Sequence, residues 1–428
     1  MAQTIITNHI VKPSSPTPLA SKIHKLSFID QMQSPEYIPF IFLYENNRST
    51  SKQEISKRLR QSLSETLTIF YPIAGTVVQN SHVDCDDTGA EFVEARVHAP
   101  LSHFTQNPNF EELVKQLFPT ADGTETRNLS VKISFFECGG FAVGLFLSHK
   151  LVDGSSAAAF VRAWGKTCCR EASGIIHRSR GQTHLSVHPS FDMALHFPPS
   201  HSPPPSMYLG VPREKITTGR LVFDKEKVEM IRKLEASRSE VKDPTRVEAV
   251  SALLWRSFVA AHIKAGTGTG TGTTLFPAVH AVNLRPRVGL PDRTFGNCSL
   301  GVPVVLSLDE DEGEDVVSRL RATIRGVGDD FMKGVMNDEY IVRMLDETID
   351  VFNKPGRCVF SSWIRFGLYE ADFGWGKPAR VCTGSPYMNV VVLMEAPAGD
   401  GIEALINVVD DRFFQLLQSN CNKLLGEE

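Results

Sequence analysis

Apolar residues recur along this chain with two different periods, and segments of the two kinds alternate. Spacings of three and four residues predict helices over 52–70, 155–168, 225–237, 246–263, 315–333 and 410–425. Short apolar runs between turn residues predict strands over 131–137, 141–147, 220–224, 274–282, 301–306, 388–396 and 401–408. Because helices and strands alternate in both halves, the pattern indicates an α/β protein with mixed sheets.

A proline-rich segment divides the pattern into two halves. Residues 186–214 contain seven prolines and few candidates for regular structure. A chain of 428 residues also exceeds what one ordinary core accommodates. We therefore predict an N-terminal domain over 1–190, an extended linker over 191–214 and a C-terminal domain over 215–428.

Charge and cysteine content restrict the partners and the compartment. With 45 basic and 49 acidic residues the net charge is −4, and no basic block is present to neutralise a phosphate backbone. We therefore expect no nucleic-acid partner. The eight cysteines form no CxxC pair, and the sequence lacks both a signal peptide and an apolar run of about 18 residues. These features predict a cytoplasmic protein that does not enter a membrane.

Two segments superficially resemble ligand-binding loops. The alternating glycines and threonines at 266–273 lack both phosphate-loop fingerprints, so we interpret this run as a mobile surface loop. Asp84 to Gly89 has the spacing of the first half of a calcium loop, but Ala95 stands where an EF-hand needs glutamate. A hairpin turn after Val83 is the favoured interpretation.

The strongest candidate for chemistry is His149, which follows the apolar run 141–147 at a predicted strand end. An exposed imidazole with a pKa of roughly 6.5 is largely neutral at pH 7 and can accept a proton. The alternative for an isolated histidine is a satisfied core position. The Asp153-Gly154 pair that follows indicates a turn that holds side chains in place, so we favour a general base.

Asp153 has two possible roles beside His149. In a continuous helix it would share a face with His149 and could orient the ring, but Gly154 and the preceding strand argue against a helix. We expect Asp153 to turn away and to pair with a cation, for which Arg285 is the best candidate. A metal site at His149 and Asp153 is less favoured, because no third ligand is clustered with them.

No nucleophile stands out, since the sequence contains no GxSxG elbow. Direct attack by the acceptor is therefore favoured over a covalent intermediate.

A second unusual run is Asp372-Phe373-Gly374-Trp375-Gly376, in which two glycines flank a tryptophan. A tight structural loop is the favoured interpretation, with direct catalysis by Asp372 as the alternative.

Two motifs together identify a family resemblance. His149 to Gly154 and Asp372 to Gly376 resemble the HxxxD and DFGWG signatures of the BAHD family of plant CoA-dependent acyltransferases. The runs 71–75, 283–287 and 295–297 extend the resemblance over nearly the whole chain. The alkaloid-acylating branch is the most similar, and acylsugar acyltransferases are also similar.

The resemblance implies two chloramphenicol-acetyltransferase-like domains with a central solvent channel between them. A crossover segment around 365–390 would join the first domain. His149 would deprotonate the acceptor, Asp153 would pair with Arg285, and Asp372 would handle protons or brace the structure. Supporting positions would be Gly154, Phe373, Gly374, Trp375 and Gly376.

The expected function is therefore the transfer of a short acyl group from acyl-CoA to a hydroxyl of a plant specialised metabolite. An alkaloid alcohol is the leading acceptor, and a sucrose ester or an amine is the alternative. We expect a monomer without cofactor or metal, in which acyl-CoA is a co-substrate. The competing hypothesis from another class is a non-catalytic binding protein of the same fold.

Overall fold

The computed structural model describes residues 3–46, 50–106, 110–119, 127–172, 188–200, 216–266, 275–307, 315–335, 357–384 and 387–427. Its strands are β1 (Gln3–Val11), β2 (Ile23–Lys25), β3 (Tyr37–Tyr44), β4 (Thr76–Val78), β5 (His82–Asp84), β6 (Ala90–Val97), β7 (Leu129–Phe135), β8 (Phe141–Ser148), β9 (Thr217–Phe223), β10 (Leu275–Asn283), β11 (Ser299–Ser307), β12 (Cys358–Ser362), β13 (Arg380–Cys382), β14 (Val390–Glu395) and β15 (Ile402–Val408). Its α-helices are α1 (Phe28–Met32), α2 (Lys52–Ile69), α3 (Ser102–Gln106), α4 (Phe110–Leu117), α5 (Gly154–Ala172), α6 (Met193–His196), α7 (Lys225–Ser237), α8 (Arg246–Lys264), α9 (Val316–Gly326), α10 (Asp329–Val335) and α11 (Asp411–Leu425).

The chain divides into two compact units, and each draws on more than one stretch of sequence. The N-terminal unit comprises Met1–Ser206, Pro291–Cys298 and Phe366–Gly384, and the C-terminal unit comprises Met207–Leu290, Ser299–Arg365 and Ser385–Glu428. A return of the chain near 365–390 was expected. The return of Pro291–Cys298 was not, and this short segment carries part of the site described below.

The N-terminal unit contains a six-stranded mixed sheet in the order β1-β6-β7-β8-β3-β13. Only the β6–β7 pair is parallel, and the other neighbours are antiparallel. A small second sheet has the order β2-β5-β4. The amphipathic helices α2 and α5 pack against each other, and Trp164 of α5 is fully buried, with its indole N–H donating to Ser62 Oγ at 3.0 Å. The catalytic candidate lies at the end of β8, close to the middle of the large sheet.

The C-terminal unit contains a second six-stranded mixed sheet, in the order β11-β10-β12-β14-β15-β9. Here the β10–β12 and β12–β14 pairs are parallel. One face is covered by α7, α8, α9 and α11, whose apolar residues form a core around the fully buried Trp255. The predicted class of an α/β protein with mixed sheets is therefore confirmed.

Side-chain caps explain where several helices begin. Thr245 and Glu248 form a reciprocal capping box at the start of α8. Asp224 caps α7 by accepting from the Lys227 N–H, and Asp410 caps α11 by accepting from the Phe413 N–H.

None of the helices in the described ranges is both long and apolar enough to cross a bilayer.

The structure corrects two predictions about local elements. The predicted helix over 315–333 is two helices, α9 and α10, separated at Val327 and Gly328. Glycines at 326 and 328 weaken the helix here, and the Val327 carbonyl instead accepts from the Arg287 guanidinium at 2.9 Å. The hairpin after Val83 is also wrong, because β5 pairs with β2 and β4 whereas β6 pairs with β1 and β7.

The proline-rich segment is more ordered at its start than an extended linker would be. Ser190 forms a parallel bridge with Thr294, and α6 follows at Met193–His196. The remainder of the predicted linker, 201–214, lies outside the described residues, as do positions 267–273 of the glycine-threonine run.

Candidate active site

His149 lies in a tight turn between β8 and α5. Its backbone N–H donates to the Glu36 carbonyl at 2.8 Å, and the Leu151 N–H donates back to the Ser148 carbonyl at 3.0 Å. These bonds fix the backbone on both sides of the imidazole. The side chain is half-buried rather than exposed, which corrects the sequence expectation.

Asn297 is the side chain that orients the His149 ring. The amide oxygen lies 3.1 Å from His149 Nδ1, while the amide nitrogen donates to the His149 carbonyl and to Asp30 Oδ1, each at 2.8 Å. Because both donors of the amide point at acceptors, its oxygen must face the ring, and Nδ1 must carry a proton. Nε2 therefore keeps its lone pair, which is the state that a general base needs.

Asp30 holds Asn297 in turn. It is buried, and its Oδ1 accepts from both the backbone and side-chain nitrogens of Asn297 at 2.8 Å. Its Oδ2 accepts from the backbone N–H and the hydroxyl of Ser27, which forms the capping box of α1. Burial raises the Asp30 pKa, and these four hydrogen bonds act in the opposite direction.

Asp153 fixes the turn from its other end. The carboxylate is buried; Oδ1 accepts from the Ser156 N–H at 2.8 Å, and Oδ2 accepts from the Cys298 N–H at 3.0 Å. The first bond caps α5, which begins at Gly154, and the second holds the residue after Asn297. Asp153 thus joins the His149 turn to the segment that orients the ring.

The arginine that the sequence singled out lies in the C-terminal unit. Arg285 follows β10 and is fully buried, with its backbone N–H donating to Asn283 Oδ1 at 3.1 Å. Its carbonyl accepts from the Leu290 N–H at 2.8 Å. Pairing of Arg285 with Asp153 stays a prediction.

The surroundings of His149 favour its neutral form. Burial lowers the pKa of the imidazole below its usual 6.5, although the Asp153 charge and the Asn297 hydrogen bond oppose this effect. The neighbouring Lys150 charge lowers the pKa further. The ring is therefore unprotonated at neutral pH and can accept a proton.

Lys150, the residue after His149, has no role that the sequence predicts. Its ammonium group donates to the Gln31 carbonyl at 3.0 Å and to Asn80 Oδ1 at 2.9 Å. Burial lowers its pKa to about 8, while the Asp30 charge acts in the opposite direction. These contacts tie the turn after β8 to α1 and to the small sheet.

Asp372 directs its carboxylate into its own loop. Oδ1 accepts from the backbone N–H groups of Gly374 at 2.6 Å and Gly376 at 2.9 Å. Both glycines have positive φ, 94° and 97°, which is the region that side chains disfavour. The spacing of the two glycines is thus what allows one carboxylate oxygen to accept from both.

The aromatic residues of this loop anchor it to the N-terminal unit. Phe373 packs edge-on against Trp164, with ring centroids 4.7 Å apart, and is fully buried. Trp375 packs edge-on against Phe141 of β8, and the Arg58 guanidinium lies over its ring at 4.1 Å. Phe373, Gly374, Trp375 and Gly376 therefore brace the sheet and helix that flank the His149 turn.

Comparison with solved structures defines the class of protein. A crystal structure of vinorine synthase matches with a TM-score of 0.83 and 36% sequence identity, covering 99% of this chain and 98% of that one. TRI101 of F. graminearum, complexed with coenzyme A and T-2 mycotoxin, matches with a TM-score of 0.65 over 93% of this chain and 97% of that one. At 17% identity the second match shows the fold alone. The fold is that of the two-domain acyltransferases.

Sequence comparison then gives the family. The family model described as "Transferase family" matches residues 1–415. Stemmadenine O-acetyltransferase of Catharanthus roseus is 38% identical, with 99% of this chain and 98% of that protein covered. Vinorine synthase of Rauvolfia serpentina is also 38% identical, with coverage of 96% and 95%. The chain belongs to the BAHD family of CoA-dependent acyltransferases, as the two motifs predicted, and it is an enzyme of that class.

Proposed function

We propose that this enzyme transfers an acetyl or other short acyl group from acyl-CoA to a hydroxyl of an alkaloid alcohol. The observation that carries the proposal is the His149 ring, whose Nδ1 is held by Asn297 and whose Nε2 keeps its lone pair. The printed name of the C. roseus relative, an O-acetyltransferase, supports an acetyl donor and a hydroxyl acceptor.

The reaction follows from that tautomer. His149 Nε2 accepts the proton of the acceptor hydroxyl as its oxygen attacks the thioester carbonyl of acyl-CoA. The tetrahedral intermediate collapses, the carbon–sulfur bond breaks, and the proton passes from Nε2 to the leaving thiolate. An ester and free CoA result, and His149 returns to its neutral state without a covalent enzyme intermediate.

The other site residues act on this step indirectly. In the proposal Asn297 sets the tautomer and Asp153 fixes the turn, while pairing of Asp153 with Arg285 steadies the site further. The contacts of Asp372 with its own backbone favour bracing over proton transfer for that residue. The proposal also includes a channel that admits both substrates, and a monomeric cytoplasmic enzyme that needs no metal or cofactor and binds neither nucleic acid nor membrane.

Thiol release tests the function directly. The purified enzyme is incubated with acetyl-CoA, longer acyl-CoAs and a panel of alkaloid alcohols, sucrose esters and amines, and free CoA is measured together with the acylated product by mass spectrometry. We expect acetyl transfer to an alkaloid alcohol, reduced by about 10² to 10⁴ in His149→Ala. If a sucrose ester or an amine is acylated faster than any alkaloid alcohol, that compound class is the acceptor instead. Binding without turnover would point to the non-catalytic alternative.

The assignment of the base has its own control. His103 is a half-buried histidine of the same unit that pairs with Glu112 at 2.9 Å, so His103→Ala removes an imidazole elsewhere. His103→Ala should keep wild-type turnover. Full activity in His149→Ala would overturn the proposal.

A further inference from the structure

A cleft beside α5 combines a positively charged rim with an apolar floor. It encloses about 510 Å³ of space, part of it open to solvent, and lies within the N-terminal unit. Its enclosed part has a volume of about 50 Å³, which takes a small group such as a phosphate and leaves the rest of a larger ligand at the mouth of the cleft. His149, Asn297, Asp153 and Asp372 are not among the residues that line this cleft.

Three cations line the rim. Arg162 and Lys166 lie four residues apart on α5 and therefore share a face of the helix, and Arg293 faces them from the 291–298 segment. The cleft also contains one carboxylate, Asp292, so three positive charges against one negative charge leave an excess of two. Within the described ranges, no carboxylate lies at ion-pair distance from Lys166 or Arg293.

Arg162 is the most costly of these cations to leave unneutralised. It is half-buried, and burial lowers its pKa while the Asp292 charge acts in the opposite direction. One guanidinium nitrogen donates to the Phe366 carbonyl. A guanidinium has five N–H donors, so most of its hydrogen-bonding capacity is available to an anion in the cleft.

The floor of the cleft is apolar. Phe70 and Phe295 meet edge to face with ring centroids 5.7 Å apart, and Ala159, Ala163 and Pro189 complete the surface. Phe70, Phe295 and Ala163 are buried, whereas Ala159 and Pro189 are half-buried, so a small inorganic anion would leave these last two in contact with water. A ligand with an apolar part next to its charge would cover Ala159 and Pro189.

We propose that this cleft binds a phosphate monoester that carries an aromatic or aliphatic group. A phosphate monoester has a charge of about −1.5 to −2 at pH 7, which matches the excess of two positive charges. Its oxygens would accept from Arg162, Lys166 and Arg293, and its organic group would pack on Ala159 and Pro189.

The cleft shares a wall with the segment that orients His149. Ser156 lines it and exchanges hydrogen bonds with Gly296, whose carbonyl lies 2.9 Å and whose nitrogen lies 3.2 Å from the Ser156 hydroxyl. The next residue is Asn297. An occupant of the cleft therefore lies against the same segment of chain that sets the tautomer of the base.

Calorimetric titration of the full-length enzyme with phenyl phosphate tests the proposal. We expect saturable binding at one site with a dissociation constant on the order of 1 mM or below. Lys166→Ala and Arg293→Ala should each weaken binding about tenfold, because each removes one charged hydrogen-bond donor. Arg170→Ala, which removes an exposed cation one turn further along α5, is the matched control and should leave binding unchanged.

Further titrations show whether the cleft prefers an organic phosphate, whether CoA uses the same cations, and whether binding depends on the proposed catalytic function. Inorganic phosphate should bind more weakly than phenyl phosphate, saturating CoA should not displace phenyl phosphate, and His149→Ala should bind it as tightly as the wild type. Displacement by CoA would mean that the co-substrate's own phosphates use these cations, and would overturn a separate site. Binding that is unchanged in the Lys166 and Arg293 variants would equally overturn it.

Discussion

The reactivity of His149 is set by groups from separate parts of the sequence, two in direct contact with it and one behind them. Asn297 accepts from Nδ1, Glu36 accepts from the backbone N–H, and Asp30 holds the amide of Asn297 without touching the imidazole. Burial lowers the imidazole pKa more than the neighbouring carboxylate and amide raise it. A neutral base of fixed tautomer results, and both properties can be measured.

The pH profile tests the protonation state. Only neutral His149 can accept the acceptor's proton, so kcat/KM should fall as pH decreases through the pKa of the free enzyme's imidazole. Because that pKa is lowered, the midpoint of the fall should lie below pH 6.5, and at lower pH the fall should reach about tenfold per pH unit. The measurement is the rate of CoA release between pH 5 and 9, in buffers of constant ionic strength. An acidic limb centred above 6.5 would contradict the environment described for His149.

Asn297→Ala tests the tautomer. Loss of the acceptor at Nδ1 frees the ring to adopt the wrong tautomer, so turnover should fall by roughly 10²-fold or more, within the range of about 10² to 10⁴ that a general base contributes. The Asn297 hydrogen bond also raises the His149 pKa, so the acidic limb should move to still lower pH in this variant. The pH profile of the variant enzyme gives both results.

Asn128→Ala is the matched control for that experiment. Asn128 is also a buried asparagine of the N-terminal unit, and its amide nitrogen donates to the Gly75 carbonyl at 2.7 Å. Its removal should lower stability without moving the acidic limb. Equal pH profiles in the two variants would mean that Asn297 acts only through stability.

The sequence led to part of this site for identifiable reasons. His149 and Asp153 lie four residues apart at the end of an apolar run, so a local pattern reveals them. Asn297 lies 148 positions from His149, and Asp30 lies 267 positions from Asn297, so no local period connects them. In the sequence the Phe295 to Asn297 run is only a family match, and the role of Asn297 follows from its contacts in the folded protein.

Among the structural elements, the Asp372 to Gly376 loop shows how one side chain can specify a turn. The carboxylate takes the place of a backbone acceptor for two N–H groups, and the glycines supply the positive φ values that bring those groups to it. Phe373 and Trp375 then fasten the turn to α5 and β8.

Substitution of Asp372 separates bracing from proton transfer. Asp372→Asn keeps an acceptor oxygen for the two N–H groups, so stability and turnover should stay close to wild type. Asp372→Ala leaves both N–H groups without that acceptor and should cost about 1–3 kcal/mol in the free energy of unfolding. Thermal and denaturant unfolding, with CoA release in parallel, provide the measurements. A large loss of turnover in Asp372→Asn with unchanged stability would instead assign Asp372 a role in proton transfer.

The sequence predicts an element correctly where one face is apolar and the other polar. It fails where the two faces do not differ in this way. The predicted helix 225–237 coincides with α7, because Asp224 caps its start and its apolar residues keep the helical period. β1 was not predicted, since as an edge strand it exposes residues on both faces. β3 was also missed, because its eight residues are apolar without alternation and include Pro39. Pro39 is tolerated because β13 pairs only with residues 41–43 of β3 on that side.

At the scale of the whole molecule, the N-terminal unit is built from three stretches of chain. Met1–Ser206 contains five strands of its large sheet together with α2 and α5, but β13, Asn297 and the Asp372 loop come from later in the sequence. A fragment that ends at Ser206 would expose the β3 edge that β13 covers, and the faces of Phe141 and Trp164 that pack on the loop.

That arrangement predicts that the fragment 1–206 cannot fold as an independent domain. Loss of a large buried aromatic side chain costs about 3–5 kcal/mol, and the fragment loses both Phe373 and Trp375, which together approach the 5–15 kcal/mol that stabilises a typical domain. Circular dichroism and hydrogen exchange of the purified fragment should show no cooperative unfolding transition, whereas the full-length chain should show one. A fragment 1–206 that unfolds cooperatively would mean that residues 291–298 and 366–384 are attached to a core already complete without them. The orientation of His149 would then be a later addition to a stable unit, and Asn297→Ala should affect turnover without affecting stability.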